Sequence, residues 1–357
     1  MIAPELSLVL VGFGHVGRRL VRLLTEVADR LDFEWRVVGV ATRHHGTVLN
    51  PAGVDVERAA ALVEANQSLD RLDPEPGERS GLDLLRQASS LLADDAAEGR
   101  LVCVESTVLD IERGEPAITH VRAALEAQMH VVTVNKGPAA FAYDELESLA
   151  DAMDRVFFFE GAVMDGVPVF NLVRETMPAV RVEGFRGVIN TTSNFILSAL
   201  ERGQSFDLAV REMQGRGIAE ADPSLDIDGW DAAAKTAALV NVLMGGRITP
   251  HDVARTGIAG VRTADLREAI AHGRRVRLVA SAGRRGAELI ARVEPEMLAP
   301  GDPLAELADT ENALYLRTDL LGEVGIVQRE STLTQTAYAV LSDLSRISLR
   351  LRDWTGR

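Results

Sequence analysis

The chain has 357 residues, 46% of them hydrophobic, enough to fill the cores of two domains. Its net charge of -15 argues against binding nucleic acid or anionic membranes, both of which it would repel. No run reaches the roughly 18 apolar residues of a membrane span, the start lacks a basic leader, and the single cysteine, Cys103, excludes an internal disulfide, together predicting a cytoplasmic protein.

In chain order, "LSLVLVGFGHVGRRLVRLLTEVADRL" predicts an apolar strand, a glycine turn and a helix with Val16, Leu20 and Leu23 on one face. "EWRVVGVATR" is a second strand, and "GRLVCVEST" a third, with Cys103 buried in it. "AITHVRAALEAQMH" is a helix, and "VVTVNKGP" a short strand broken by Gly137 and Pro138. This alternation is the mark of a doubly wound parallel sheet, so the expected fold is α/β, with a Rossmann-type nucleotide-binding domain over 1–150.

Beyond residue 150 the pattern changes. "DRVFFFEGAVMDGVPVFNLV" predicts a strand and a glycine-rich turn, "VRVEGFRGVINTTSNFILSAL" a strand running into a helix, and "DAAAKTAALVNVLMGG" a helix closed by glycines. Residues 261 to 325 mix both patterns with little signal. The tail is amphipathic helix, with Ala337, Val340, Leu341 and Leu344 on one side. An α+β substrate and dimerisation domain is therefore expected over 151–320, with 321–357 completing the first domain.

"GFGHVG", comprising Gly12, Phe13, Gly14, His15, Val16 and Gly17, is G-x-G-x-x-G after a strand and opening a helix. Such glycines permit a tight turn and close approach of a pyrophosphate to helix N-terminal amides, although an ordinary glycine turn would read the same way. The second strand ends at "VGVATRHHG" without the acid that holds the ribose 2'-hydroxyl of NAD. Arg43 either pairs with the 2'-phosphate of NADP, the favoured reading, or is a solvated loop arginine.

Only two of the 38 basic residues are lysine, Lys136 and Lys235. A buried lysine can release its proton near neutral pH, whereas a guanidinium effectively cannot, so exchanging a proton with an alcohol calls for lysine. "GIAEADPSLDIDGWDAAAK" sets Glu220, Asp222, Asp226, Asp228 and Asp231 before Lys235. The carboxylates suit the ammonium group of an amino-acid substrate; a capped helix start with an ordinary i,i+4 pair between Asp231 and Lys235 is the alternative. "FFEGAVMDGVPV" offers Glu160 and a turn of exposed carbonyls that could hold a sodium-like ion, or simply a turn.

Taken together, "VGFGHVG", "TVNKGP", "FEGAVMDGVP", "GVINTTSNFIL" and "GIAEADPSLDIDGWDAAAK" resemble the homoserine dehydrogenases, in the short form without an ACT regulatory domain. The resemblance implies NAD(P)-linked interconversion of L-homoserine and L-aspartate 4-semialdehyde, in threonine and methionine biosynthesis, by a homodimer. It implies that Lys136 lies at nicotinamide and substrate, that Lys235 donates the proton, and that Glu220 and Asp231, with Asp226 nearby, bind the substrate. Ser106 and Thr107 match the cofactor-contacting loop; Glu160, Val163, Asp165 and Val167 match a monovalent-cation (Na+) turn.

Two departures accompany the match. Asn190, Thr191 and Thr192 stand where the family has Asn-Gly-Thr, and Glu330, Ser331 and Thr332 replace a glycine-rich turn that would approach the cofactor. Glu330 would repel a phosphate there, so either the tail closes differently or cofactor handling or substrate is altered. The alternatives to homoserine dehydrogenase are a related dehydrogenase of another amino or hydroxy acid and a non-catalytic NAD(P)-binding sensor.

Overall fold

Central to the first sheet is β1 (Glu5–Val11), buried from Leu6 to Val11. The structure, a computed structural model, describes residues 3–215, 222–286 and 288–355. Two compact units divide the chain: residues 1–138, 142–168 and 332–357 form one, and 139–141 with 169–331 the other.

In the first unit β1 is joined by β2 (Glu34–Ala41), β3 (Thr47–Leu49), β4 (Leu101–Glu105), β5 (His130–Thr133) and β6 (Phe157–Phe158), in the order β3-β2-β1-β4-β5-β6. All neighbours are parallel except the β2–β3 hairpin. The chain direction across the sheet reverses between β1 and β4, which makes their carboxyl ends a switch point. Near-continuous apolar runs such as "LVLV" and "LVCV" suit strands covered on both faces, and Cys103 is wholly buried.

The glycine turn leads into helix His15–Glu26, whose Leu20, Val21 and Leu24 pack into the same core as Leu6, Leu8 and Leu10 of β1. Ala337, Val340, Leu341, Leu344, Ile347 and Leu351, on the tail helix Leu333–Thr355, complete that core. At roughly 1.5–3 kcal/mol per buried aliphatic side chain, this stripe is a large contribution to the unit's stability.

One expectation at Gly137 and Pro138 is reversed. The residues do not end a strand; they lie in the first turn of a helix, Lys136–Phe141, capped by the Asn135 side chain accepting from Gly137 N–H at 2.8 Å. Proline is tolerated there because first-turn amides have no intrahelical partner.

The second unit is built on β7 (Val182–Val188), β8 (Ala254–Arg255), β9 (Arg275–Arg285), β10 (Glu288–Leu298), β11 (Asn312–Thr318) and β12 (Gly322–Gln328), in the order β12-β11-β7-β9-β10-β8. Its pairs are antiparallel apart from β10–β8. Helices Thr191–Glu201 and Trp230–Met244 pack against this sheet. Because β12 hydrogen bonds along β11, the chain rejoins the first unit at 332 rather than 321. Among the described residues no helix is long and apolar enough to cross a membrane.

Candidate functional site

At the switch point the three glycines have three different surroundings. Gly12 has φ +95, and a Cβ built on it would stand 2.6 Å from the Ser106 carbonyl oxygen. Gly17 lies where a Cβ would meet the Gly12 carbonyl at 3.1 Å and the Phe13 ring at 3.2 Å, so it lets helix and strand approach. Around Gly14 an added Cβ would meet nothing within 4 Å, and its backbone is open to a ligand. Tight turn, open amide and close helix packing are the separate requirements of a pyrophosphate-binding turn. A nicotinamide dinucleotide fits here by that clearance.

Phe13 is buried, His15 is exposed and Val16 half-buried at the helix start. Arg18 Nη1 donates to the Phe13 carbonyl at 2.9 Å. Ser106 fastens the neighbouring loop, its N–H donating to Val11 O at 2.8 Å and its hydroxyl to Gly12 O at 3.0 Å. Arg43 is exposed in the loop after β2, where Thr42 and Gly46 bond to one another.

A carboxylate unremarked in the sequence reading organises this edge. Glu105, the last residue of β4, is completely buried. It accepts from Thr107 N–H at 2.8 Å, from the Thr107 hydroxyl, and from the Thr133 hydroxyl at 2.5 Å. Thr133 Oγ1 in turn accepts from Asn135 N–H at 2.9 Å, and Asn135 Nδ2 donates to Thr107 O at 3.0 Å. Burial pushes the Glu105 carboxyl above the ordinary range. The available signal was an acid ending an otherwise apolar strand, "LVCVE". Lys136, half-buried, begins the helix that Asn135 caps.

The second unit carries the other chemistry. Lys235 Nζ donates to Ile189 O at 2.8 Å and pairs with Asp231 at 3.2 Å, each side chain 15% exposed. Asn190 Nδ2 donates to Asp226 at 2.7 Å and to Asp231 at 2.9 Å, while its Oδ1 caps the following helix through Ser193 N–H. Asn190 thus joins two carboxylates that sequence spacing left apart. The short helix Ser224–Ile227 and left-handed Gly229, φ 79, deliver Asp226 and Asp231 to this cluster, so the long helix begins at Trp230 rather than near Asp228. The cluster brings the Asp226 and Asp231 carboxylates together beside Lys235, and carboxylates attract an ammonium group. Glu220 lies outside the described residues.

Burial first, and then the Asp231 carboxylate, push the Asp226 carboxyl above the ordinary aspartate range. With an unfolded value of about 3.9, the native state takes up the proton first as pH falls. The cost of ionised Asp226 is therefore present above its folded pKa and disappears as pH falls through that pKa. Asp226→Asn should accordingly melt at a higher temperature than the parent at pH 7, with the difference closing by about pH 4. A melting difference independent of pH would contradict this.

The expected cation turn lies in the first unit. Glu160 is 2% exposed and its N–H donates to Asp343 at 3.0 Å. Val163 is buried, Asp165 at φ 48 accepts from the Thr336 hydroxyl at 3.0 Å, and Val167 N–H donates to Met164 O. A Cβ on Gly166 would stand 2.5 Å from Gln335 O, so the turn packs directly on the tail helix. Among the described residues no group of three or more His, Cys, Asp or Glu could hold a metal ion, so a cation here would need backbone carbonyls beside the single carboxylate of Glu160.

Glu330 is exposed, and Thr332 has a local purpose. Its hydroxyl accepts from Gln335 N–H at 3.3 Å and its N–H donates to Gln335 Oε1 at 3.1 Å, a capping box for the tail helix.

A glycine turn with these clearances at a switch point in a 3-2-1-4-5-6 sheet defines the class of Rossmann-type dinucleotide-binding proteins. The profile of the homoserine dehydrogenase family matches residues 168–345, and the chain is 36% identical to the NAD(+)-dependent homoserine dehydrogenase of Pseudomonas canavaninivorans over 96% of each chain. The chain belongs to the homoserine dehydrogenase family and is an NAD(P)-dependent oxidoreductase of homoserine. Among solved structures, a putative homoserine dehydrogenase from Archaeoglobus fulgidus superposes with TM-score 0.82 at 27% identity, covering 96% of this chain and 99% of that one. A hyperthermophilic archaeal homoserine dehydrogenase in complex with NADPH superposes with TM-score 0.79 at 29% identity, covering 97% and 98%.

Proposed function

We propose that this chain interconverts L-homoserine and L-aspartate 4-semialdehyde, with Lys235 exchanging the alcohol proton and Lys136 serving nicotinamide and substrate. The observation that carries this reading is the Lys235–Asp231–Asn190–Asp226 cluster. Asp226 and Asp231, with Glu220, take the substrate ammonium. Lys235 Nζ holds Ile189 O and Asp231, which leaves its remaining position for the substrate oxygen in this reading.

In the oxidative direction Lys235 Nζ takes the hydroxyl proton and C4 gives up a hydrogen as hydride to the nicotinamide; the reverse direction returns both. The bound nicotinamide supplies the hydride acceptor or donor. Gly12, Phe13, Gly14, His15, Val16 and Gly17 would hold its pyrophosphate, and Ser106, Thr107 and Lys136 would contact the rest of the cofactor. The test is reduced-nicotinamide absorbance appearing when L-homoserine and NADP are added to the purified protein; no signal with either NAD or NADP would sink the reading.

NADP is the preferred form in this reading, through Arg43. Binding of NADPH by the archaeal relative supports it, whereas the Pseudomonas relative is NAD(+)-dependent and supports the opposite preference. Arg43→Ala should raise KM for NADP about tenfold, in line with loss of a charged hydrogen bond, and leave KM for NAD unchanged. Equal effects on both would assign Arg43 to solvent.

The reading extends to a sodium ion held by Glu160 and the carbonyls of Val163, Asp165 and Val167, and to a cytoplasmic homodimer. Buried Glu160 supports the first, and the exposed apolar residues Leu320, Leu321 and Val327 of the β11–β12 hairpin support a self-association surface.

A further inference from the structure

We propose that Glu105 is a positioning residue that ties the cofactor loop after β4 to the lysine-bearing turn after β5. This rests on the nucleotide-site reading above.

The bonds form a closed ring. Glu105 receives Thr107 and Thr133; Thr133 receives Asn135 N–H; Asn135 returns to Thr107 O. From the same Asn135, Oδ1 caps the helix that Lys136 begins. The backbone flanks are equally close: Glu105 pairs with Val11 of β1 on one side and Thr133 of β5 on the other. Displacing one member therefore moves both loops.

The choice of a carboxylate is costly, which is what makes it informative. Glu105 is 0% exposed, and its side-chain partners among the described residues are the Thr107 amide and the Thr107 and Thr133 hydroxyls. A buried carboxyl without a counter-ion is tolerated where its oxygens are hydrogen-bonded, as these are. All three of its partners are donors. Two acceptor oxygens satisfy them; a neutral amide would turn an NH2 group toward a hydroxyl or an amide already donating.

Packing and positioning predict opposite orders at Thr133. Thr133→Val keeps the shape and removes the hydroxyl, whereas Thr133→Ser keeps the hydroxyl and removes the methyl. With NADPH as the probe in a fluorescence titration, and KM for NADP and kcat from steady-state turnover, Thr133→Val should weaken cofactor binding about tenfold and Thr133→Ser less than about threefold. Glu105→Gln should match Thr133→Val, and the double variant should lose little more than either single one, because both break the same ring.

The inference is overturned if Thr133→Val binds NADPH normally while Thr133→Ser does not, or if folded Glu105→Gln binds like the parent. Should Glu105→Gln not fold, the Thr133 pair still decides. A parent protein that binds no NADPH brings down the nucleotide-site reading itself; a parent that binds and turns over beside unaffected variants brings down only the role of Glu105.

Discussion

Replacing Lys235 by arginine should lower turnover by about a hundredfold to ten-thousandfold, the range carried by a general acid or base, while NADPH affinity stays within about twofold. The position itself tolerates a cation. Its Nζ sits between Ile189 O and Asp231 at 2.8 and 3.2 Å, and an arginine can satisfy a carbonyl and a carboxylate. It cannot release a proton at working pH, so charge survives and chemistry does not. Thermal melting should be nearly unchanged. A Lys235→Arg protein retaining more than about a tenth of parental kcat, outside the range for general acid–base loss, would remove Lys235 from the reaction.

The glycine turn offers the second large effect, and a contrast within six residues. Gly12→Ala places a Cβ 2.6 Å from the Ser106 carbonyl oxygen at a backbone φ of +95. Strain at such a φ costs roughly 1–3 kcal/mol, and the Ser106 loop must also move, breaking its bonds to Val11 and Gly12. A fall in melting temperature of roughly 2–12 °C is expected, with loss of NADPH binding. Gly14→Ala meets no atom within 4 Å and already has φ -75, so stability should change by about 1 kcal/mol or less. Its cost should fall on the nucleotide, about tenfold in Kd, because the added methyl stands on the open amide. Unaltered NADPH binding by Gly14→Ala would separate this turn from the pyrophosphate.

The first unit was legible because its strands are short apolar runs punctuated by glycine, and because the tail's apolar stripe at Ala337, Val340, Leu341 and Leu344 is buried as its spacing predicts. The long strands β9 and β10 were not. "RVRLVASAGRR" carries Arg277 into the interior, 3% exposed, where Glu201 at 3.0 Å and Leu307 O receive it. A charged residue on the inward side breaks the alternation that marks a strand, and its partners lie far away in sequence. The same distance hid Asn190: its bonds to Asp226 and Asp231 cross 36 and 41 positions, beyond any local spacing rule. Lys235 was found by chemical identity, since rarity among arginines needs no fold to be visible. Thr332 and Gln335 carry the T-x-x-Q spacing of a capping box, a signature legible in the local sequence.

The tail helix also dictates an order of assembly. Residues 169–331 of the second unit form one continuous run, whereas the core around β1 needs Val340, Leu344 and Ile347. During synthesis at about 5–20 residues per second, the first sheet therefore waits roughly 10–40 s after its own strands emerge for the helix that covers it. Throughout that interval its apolar face is open to chaperones, and the later-made unit is free to fold first.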